Sequence, residues 1–192
     1  TITVGVGKDF VSIQDAVDSL KKRVDAFITI NVDAGSYAED VIIGGFVGKG
    51  KIFLNGGVNL AASVNYQVNS ITITGCLSYV VVNGFTITST TSPCISMSQC
   101  VKVQIIYNTM TTTAALQGIL AYTSNVFITY STISNRSVAI QASHMSIVMS
   151  ATVTGSGNTI GLKADTASTI GKDATQPSGT TAESSAAGGV IR

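Results

Sequence analysis

The chain has 192 residues, enough for one domain with a sizeable core. It is 45% hydrophobic but only 11% charged, with a net charge of +1, so Thr, Ser, Asn and Gly fill the polar positions. No long basic tract exists to bind a phosphate backbone, and no run of about 18 apolar residues exists to cross a membrane, so neither nucleic acid nor membrane insertion is expected.

The first predicted element is a helix over about 12–23. Ser12 stands as N-cap, and Ile13, Ala16, Val17 and Leu20 form one apolar stripe. Asp15 and Asp18 fall early, while Lys21, Lys22 and Arg23 fall late, which suits the helix dipole. Strand patterns follow. Phe27 to Val32 alternates, Val41 to Ile43 does so more weakly, and Lys51 to Asn55 runs into the Gly56-Gly57 turn. Ser70 to Thr74 alternates cleanly.

A repeat then becomes legible. A small or polar pair followed by a β-branched strand recurs from Ser78, Gln99, Ser124, Ser143 and, faintly, Thr166, at steps of 21, 25, 19 and 23 residues. A second series starts at Gly118, Val138 and Thr159. A period near 20 with short strands predicts an all-β solenoid whose turns stack about 4.8 Å apart, each pairing with the turns above and below. The competing architecture is a β-sandwich with strands every 8–12 residues. The expected domain is a parallel β-helix over 1–174, with rungs from about 27 to 172 and the short helix capping its N-terminal end. Residues 175–192 are rich in Ser, Thr, Ala and Gly, and are expected to be a low-complexity tail that neighbouring chains could order.

Chemistry is sparse along the way. No Asp or Glu occurs between Asp40 and Asp165, so the middle rungs lack the paired carboxylates of glycoside hydrolysis. Asp33, Glu39 and Asp40 read as turn and capping residues; they could offer calcium some oxygens, but no compact loop motif gathers them. Gly5-Val6-Gly7-Lys8 and Gly44-Gly45-Phe46-Val47-Gly48-Lys49 lack the Ser or Thr of a phosphate loop and read as turns. His144 has no nucleophile motif beside it, and Asn135-Arg136-Ser137 spells a glycosylation sequon without a secretory signal. Cys76, Cys94 and Cys100 form an odd set without metal spacing, expected as buried free thiols. No catalytic residue, metal site or cofactor is therefore predicted.

What remains is a surface. If Val101 and Val103 point inward, Lys102 and Gln104 point outward. Tyr107 follows on the same repeat, Phe127 and Thr129 take outward positions on the next, and Arg136 comes after them. Aromatic rings beside amides, hydroxyls and cations are the groups that hold sugars, so Lys102, Gln104, Tyr107, Phe127, Thr129 and Arg136 are the candidate carbohydrate-binding residues. The same face could instead pack against sister subunits.

The opening Gly5-Val6-Gly7-Lys8-Asp9-Phe10-Val11-Ser12-Ile13-Gln14-Asp15-Ala16-Val17 resembles the start of pectin-lyase-like right-handed parallel β-helices. Gly35-Ser36-Tyr37-Ala38-Glu39 is similar to the G-x-Y-x-E that follows it in pectinesterases and phage tailspikes. The stretch from Gly155-Ser156-Gly157 to Gly188-Gly189-Val190-Ile191 is similar to the C-termini of phage and prophage tail-fibre and tail-appendage proteins. The resemblance implies a homotrimer in a virion tail, assembled in the host cytoplasm and binding host surface polysaccharide, or stabilising the trimeric fibre. It also implies two alternatives: a polysaccharide-degrading lyase or hydrolase, and an assembly segment without adhesive role. The mid-helix Asp and Arg residues of the enzymes in this superfamily are replaced here by Thr, Ser, Asn and Gln, so no catalytic role carries over. Because the chain starts at Thr1, it is expected to be a fragment or processed product.

Overall fold

The computed structural model describes residues 1–57 and 65–192. The chain winds as a right-handed parallel β-solenoid of about seven turns. Three sheets form its walls. The first, of nine strands, stacks β1 (Ile2–Val4), β2 (Phe27–Val32), β5 (Lys51–Asn55), β8 (Tyr79–Asn83), β11 (Val103–Ile106), β14 (Asn125–Thr129), β17 (Ile147–Ala151), β19 (Thr169–Asp173) and β21 (Val190–Ile191). The second stacks β4 (Asp40–Gly44), β7 (Ser70–Thr74), β10 (Ile95–Ser98), β13 (Ala114–Tyr122), β16 (Arg136–Ser143), β18 (Asn158–Ala164) and β20 (Gly179–Ser185). The third is short: β3 (Gly35–Ser36), β6 (Tyr66–Val68), β9 (Thr86–Ile87), β12 (Thr109–Met110) and β15 (Thr132–Ile133). Neighbouring strands in each sheet pair in parallel, which removes the sandwich alternative.

Parallel in-register stacking puts like positions above one another. On the first sheet Ile52, Val80, Val103, Val126, Val148 and Ile170 form one inward ladder, and all are buried. On the second, Val41, Ile71, Ile95, Ile119, Ile140 and Leu162 form another. The β-branched residues that marked the strands in sequence fill the lumen.

Polar residues close the corners. Where the second sheet turns into the first, the buried Cys100, Ser124, Ser146 and Ser168 stack. The backbone N–H of Cys100, Ser124 and Ser146 each donates to the hydroxyl of the serine one turn on, at 3.1, 3.1 and 3.0 Å. Each hydroxyl satisfies a corner amide that strand pairing leaves over. After the first sheet the chain turns through left-handed backbone at Gly84, Tyr107, Tyr130, Thr152 and Ala174, with φ from 49° to 76°. Gly84 is required as glycine, because a Cβ there would meet the Gly57 carbonyl oxygen at 1.9 Å. The two tyrosines hold the same conformation against the intrinsic cost of that region.

The helix is shorter than its apolar stripe predicted. α1 spans Ile13–Asp18, begins at Ser12 and ends at Ser19. The basic cluster lies outside it. The Lys22 carbonyl accepts from the Val47 N–H at 2.8 Å, and Arg23 forms a parallel bridge with Val47, so pairing with the solenoid wall outcompetes another helical turn. Glu39 holds the other end of α1, accepting from Ser12 Oγ at 3.1 Å and from the N–H groups of Ile13 and Gln14 at 3.0 and 2.8 Å. Residues 175–192, expected as a low-complexity tail, contribute β20 and β21, which pair with β18 and β19. Glu183 and Ser185 stand there in register with Leu162 and Ala164, so this coil has small and polar groups where earlier coils have apolar ones.

Leu54→Ala, in the lumen, is expected to cost about 2–5 kcal/mol in denaturant unfolding. Glu39→Ala should cost about 1 kcal/mol by undoing the α1 cap.

Candidate functional site

The outward side of the first sheet carries the densest set of aromatic and hydrogen-bonding groups. Outward positions form ladders as regular as the inward ones. One runs through Phe53, Val81, Gln104, Phe127 and Met149; beside it runs Asn55, Asn83, Ile106, Thr129, Ala151 and Asp173. The amides at the N-terminal end of this second ladder bond to each other, Asn55 Nδ2 to Asn31 Oδ1 at 2.9 Å and Asn83 Nδ2 to Asn55 Oδ1 at 2.8 Å. Further along, the amides give way to Ile106, Thr129 and Ala151, and a groove of about 520 Å³ opens. Gln104, Phe127, Thr129 and Asp173 line it, with Tyr107 and Tyr130 as its rim. The rim rings stack with centroids 5.1 Å apart and planes 15° apart, because both tyrosines occupy the same left-handed corner on successive turns.

Four of the six candidate residues, Gln104, Tyr107, Phe127 and Thr129, thus meet in one groove. Lys102 stands one ladder away, its ammonium 4.4 Å from the centre of the Tyr79 ring. Arg136 is a correction: it is 1% exposed and belongs to the interior. Its side chain donates from Nη1 to the Ser89 carbonyl at 2.8 Å and from Nη2 to Cys94 Sγ at 2.7 Å. It opens a strand of the second sheet at the corner after β15, where the irregular segment carrying Ser89 and Cys94 offers it acceptors. Burial pushes the Cys94 thiol up to about 11 despite this guanidinium. Asp173 was absent from the sequence prediction, because it reaches the groove only by stacking two turns beyond Thr129.

Most of the other acids have structural partners. Asp33 pairs with Lys8 at 3.3 Å, and Asp40 accepts from Ser70 Oγ at 2.6 Å. On the second sheet, burial pushes the Asp165 carboxyl up, but hydrogen bonds from Ser143 and Gln141 and the Lys163 ammonium outweigh it and hold the group below the usual carboxylate range. His144 stacks on Tyr122 at 4.1 Å, with Nδ1 2.8 Å from Ser143 Oγ. Asp165 engages that serine rather than the imidazole, so the three do not form a proton relay. The three cysteines are buried and unbridged. No cluster of three or more metal-ligating side chains occurs among the described residues.

Arg136→Ala should destabilise the fold by about 3 kcal/mol or more in thermal melts, whereas Lys102→Ala should stay within about 0.5 kcal/mol. A carboxyl with a lowered folded-state pKa stabilises above its unfolded value and loses that contribution as pH falls through the folded one. Asp165→Asn should therefore lower the melting temperature at pH 7, and the gap should close as the pH drops below the ordinary carboxylate range.

No protein-family model matches the chain, and no curated protein matches it. Two crystal structures of the pectin methylesterase from Aspergillus niger are similar to it. The penultimately deglycosylated form matches with a TM-score of 0.52 at 16% identity, and the deglycosylated form with 0.50 at 17%. Each match covers 91% of this chain and 66% of the enzyme, so the chain spans about two thirds of the enzyme's length. The likeness is one of fold: this chain, like the enzyme, is a right-handed parallel β-solenoid.

Proposed function

We propose that the chain is a non-catalytic polysaccharide-binding module of a phage or prophage tail appendage, and that it works as a homotrimer on host surface glycan. The observation that carries the binding reading is the groove itself. Stacked Tyr107 and Tyr130 and the 39%-exposed Phe127 offer apolar faces for sugar rings. Gln104, Thr129 and Asp173 beside them offer donors and acceptors for hydroxyls. Both sets sit on the first sheet and the fixed corner that follows it, which hold them in place before a ligand arrives, so little ordering opposes binding. The trimer reading draws on the exposed Leu77, Val101 and Met145 along the corner into the first sheet, apolar groups suited to association. The virion assignment draws on the resemblance of the chain's two ends to tailspikes and tail appendages.

A second reading, a polysaccharide-degrading enzyme, is favoured by Asp173 in the groove and by the fold shared with an esterase of pectin. It is weaker, because among the described residues Asp173 is the single carboxylate lining the groove and glycoside hydrolysis usually employs two.

A panel of surface polysaccharides in affinity electrophoresis should retard the wild-type protein. Phe127→Ala and Tyr130→Ala should each weaken retardation about tenfold. No retardation by any polysaccharide would remove the binding reading. Release of new reducing or unsaturated ends, abolished by Asp173→Asn, would install the enzyme reading in its place. A monomeric mass in light scattering would dismiss the trimer.

A further inference from the structure

The outermost ladder of the first sheet lies beside the groove and differs from it in charge. Phe27, Lys51, Tyr79 and Lys102 succeed one another on four consecutive turns, alternating ring and ammonium. Lys51 Nζ lies 4.7 Å from the centre of Tyr79, and Lys102 Nζ lies 4.4 Å from the same ring. Lys51 also stands 5.4 Å from both Phe27 and Phe53, whose rings are 6.2 Å apart. The floor beside this ladder is apolar: Val81 points outward yet is fully buried.

The two ammoniums have no counter-charge. Neither takes part in an ion pair among the described residues, and the outward positions of β2, β5, β8 and β11 hold no acid. Asp25, the acid just before β2, is occupied by Arg23 at 2.7 Å. Ring faces attract each ammonium but cancel no charge. The consequence is visible on Lys51, whose pKa burial and the repulsion of Lys102 pull below the ordinary lysine value. Two of the chain's eleven cations thus converge on one ring and repel each other, an arrangement that an anion placed over them would relieve. The Tyr79 hydroxyl donates to Gln104 Oε1, and Gln104 lines the groove, so the cationic ladder and the groove form one continuous surface.

We infer that this ladder is an anion-recognising subsite and that the polysaccharide bound by this face is acidic, bearing carboxylate or sulfate groups. The glycan runs along the solenoid axis. Its negative groups meet Lys51 and Lys102, which stand two turns apart, roughly 10 Å at the spacing of stacked strands. Its ring faces lie on Phe27 and Phe53, and its continuation enters the groove past Gln104. The inference rests on the polysaccharide-binding reading and adds the charge class of the ligand.

The test is affinity electrophoresis of the full chain and of the Lys51→Gln/Lys102→Gln variant, each shown to be folded by an unchanged melting temperature. The probes are polygalacturonate, dextran sulfate, neutral dextran and polyglutamate. The expected result is retardation of the wild type by one or both acidic glycans and not by dextran, weakening as salt rises. The double variant should lose about tenfold or more in affinity, the effect of removing charge-assisted contacts. Equal retardation of variant and wild type by the acidic glycans would overturn the inference. Retardation by polyglutamate as strong as by the glycans would overturn it as well, since charge alone would then suffice. Binding confined to neutral dextran and lost in Phe127→Ala would overturn it while leaving the groove reading intact. Lysine-dependent binding to an acidic glycan that Phe127→Ala leaves unchanged would uphold it and dismiss the groove.

Discussion

Parallel hydrogen bonding between successive turns is the interaction on which every other feature depends. It holds equivalent residues one strand spacing apart and in register, so whatever stands on one turn repeats its direction on the next. Inward, this makes continuous ladders of Val, Ile and Leu. Outward, it makes ladders of side chains that sequence separates by 20 to 30 residues. The groove and the cationic ladder are consequences of that register and need no special loop. Asp173 and Thr129 share a wall because two intervening turns have the same length between their strands.

The corners decide which lengths are allowed. Each must reverse the chain while leaving few amides unpaired, and it does so by a fixed left-handed residue and by buried serines that accept from the turn below. A consequence reaches the surface. Tyr107 and Tyr130 hold the same strained corner position, and it is this coincidence that stacks their rings. The conformational cost of the corner and the rim of the groove are the same two residues.

The distribution of charge follows from the same geometry. Acids near the ends are absorbed by structure, with Glu39 on the helix and Asp33 on Lys8, while the face of the first sheet holds amides, hydroxyls, rings and lysines. Among the described residues that line the groove, Asp173 is the one carboxylate.

The strands of the first two sheets from β2 to β19, β10 excepted, the repeat and the acid-free middle of the chain were readable from residue order, because a period-2 alternation and a 20-residue recurrence are local signals; the two-residue strands of the third sheet are too short to leave such a signal. So were Gln104 and Phe127 as outward neighbours, since alternation from Val103 and Val126 settles their direction. The interior place of Arg136 was not readable. A guanidinium among Ser and Asn looks solvated, and only the fold brings Ser89 and Cys94 from more than forty residues away to receive it. Nor was the last coil readable: Gly179 to Ser185 lacks an apolar pattern, and its strand exists because β18 offers an edge to pair with. Residue order alone thus determined a stacked coil with a flank free of acids. Tertiary structure decided which rings and cations share a surface, because contact across turns depends on the length of every corner between them.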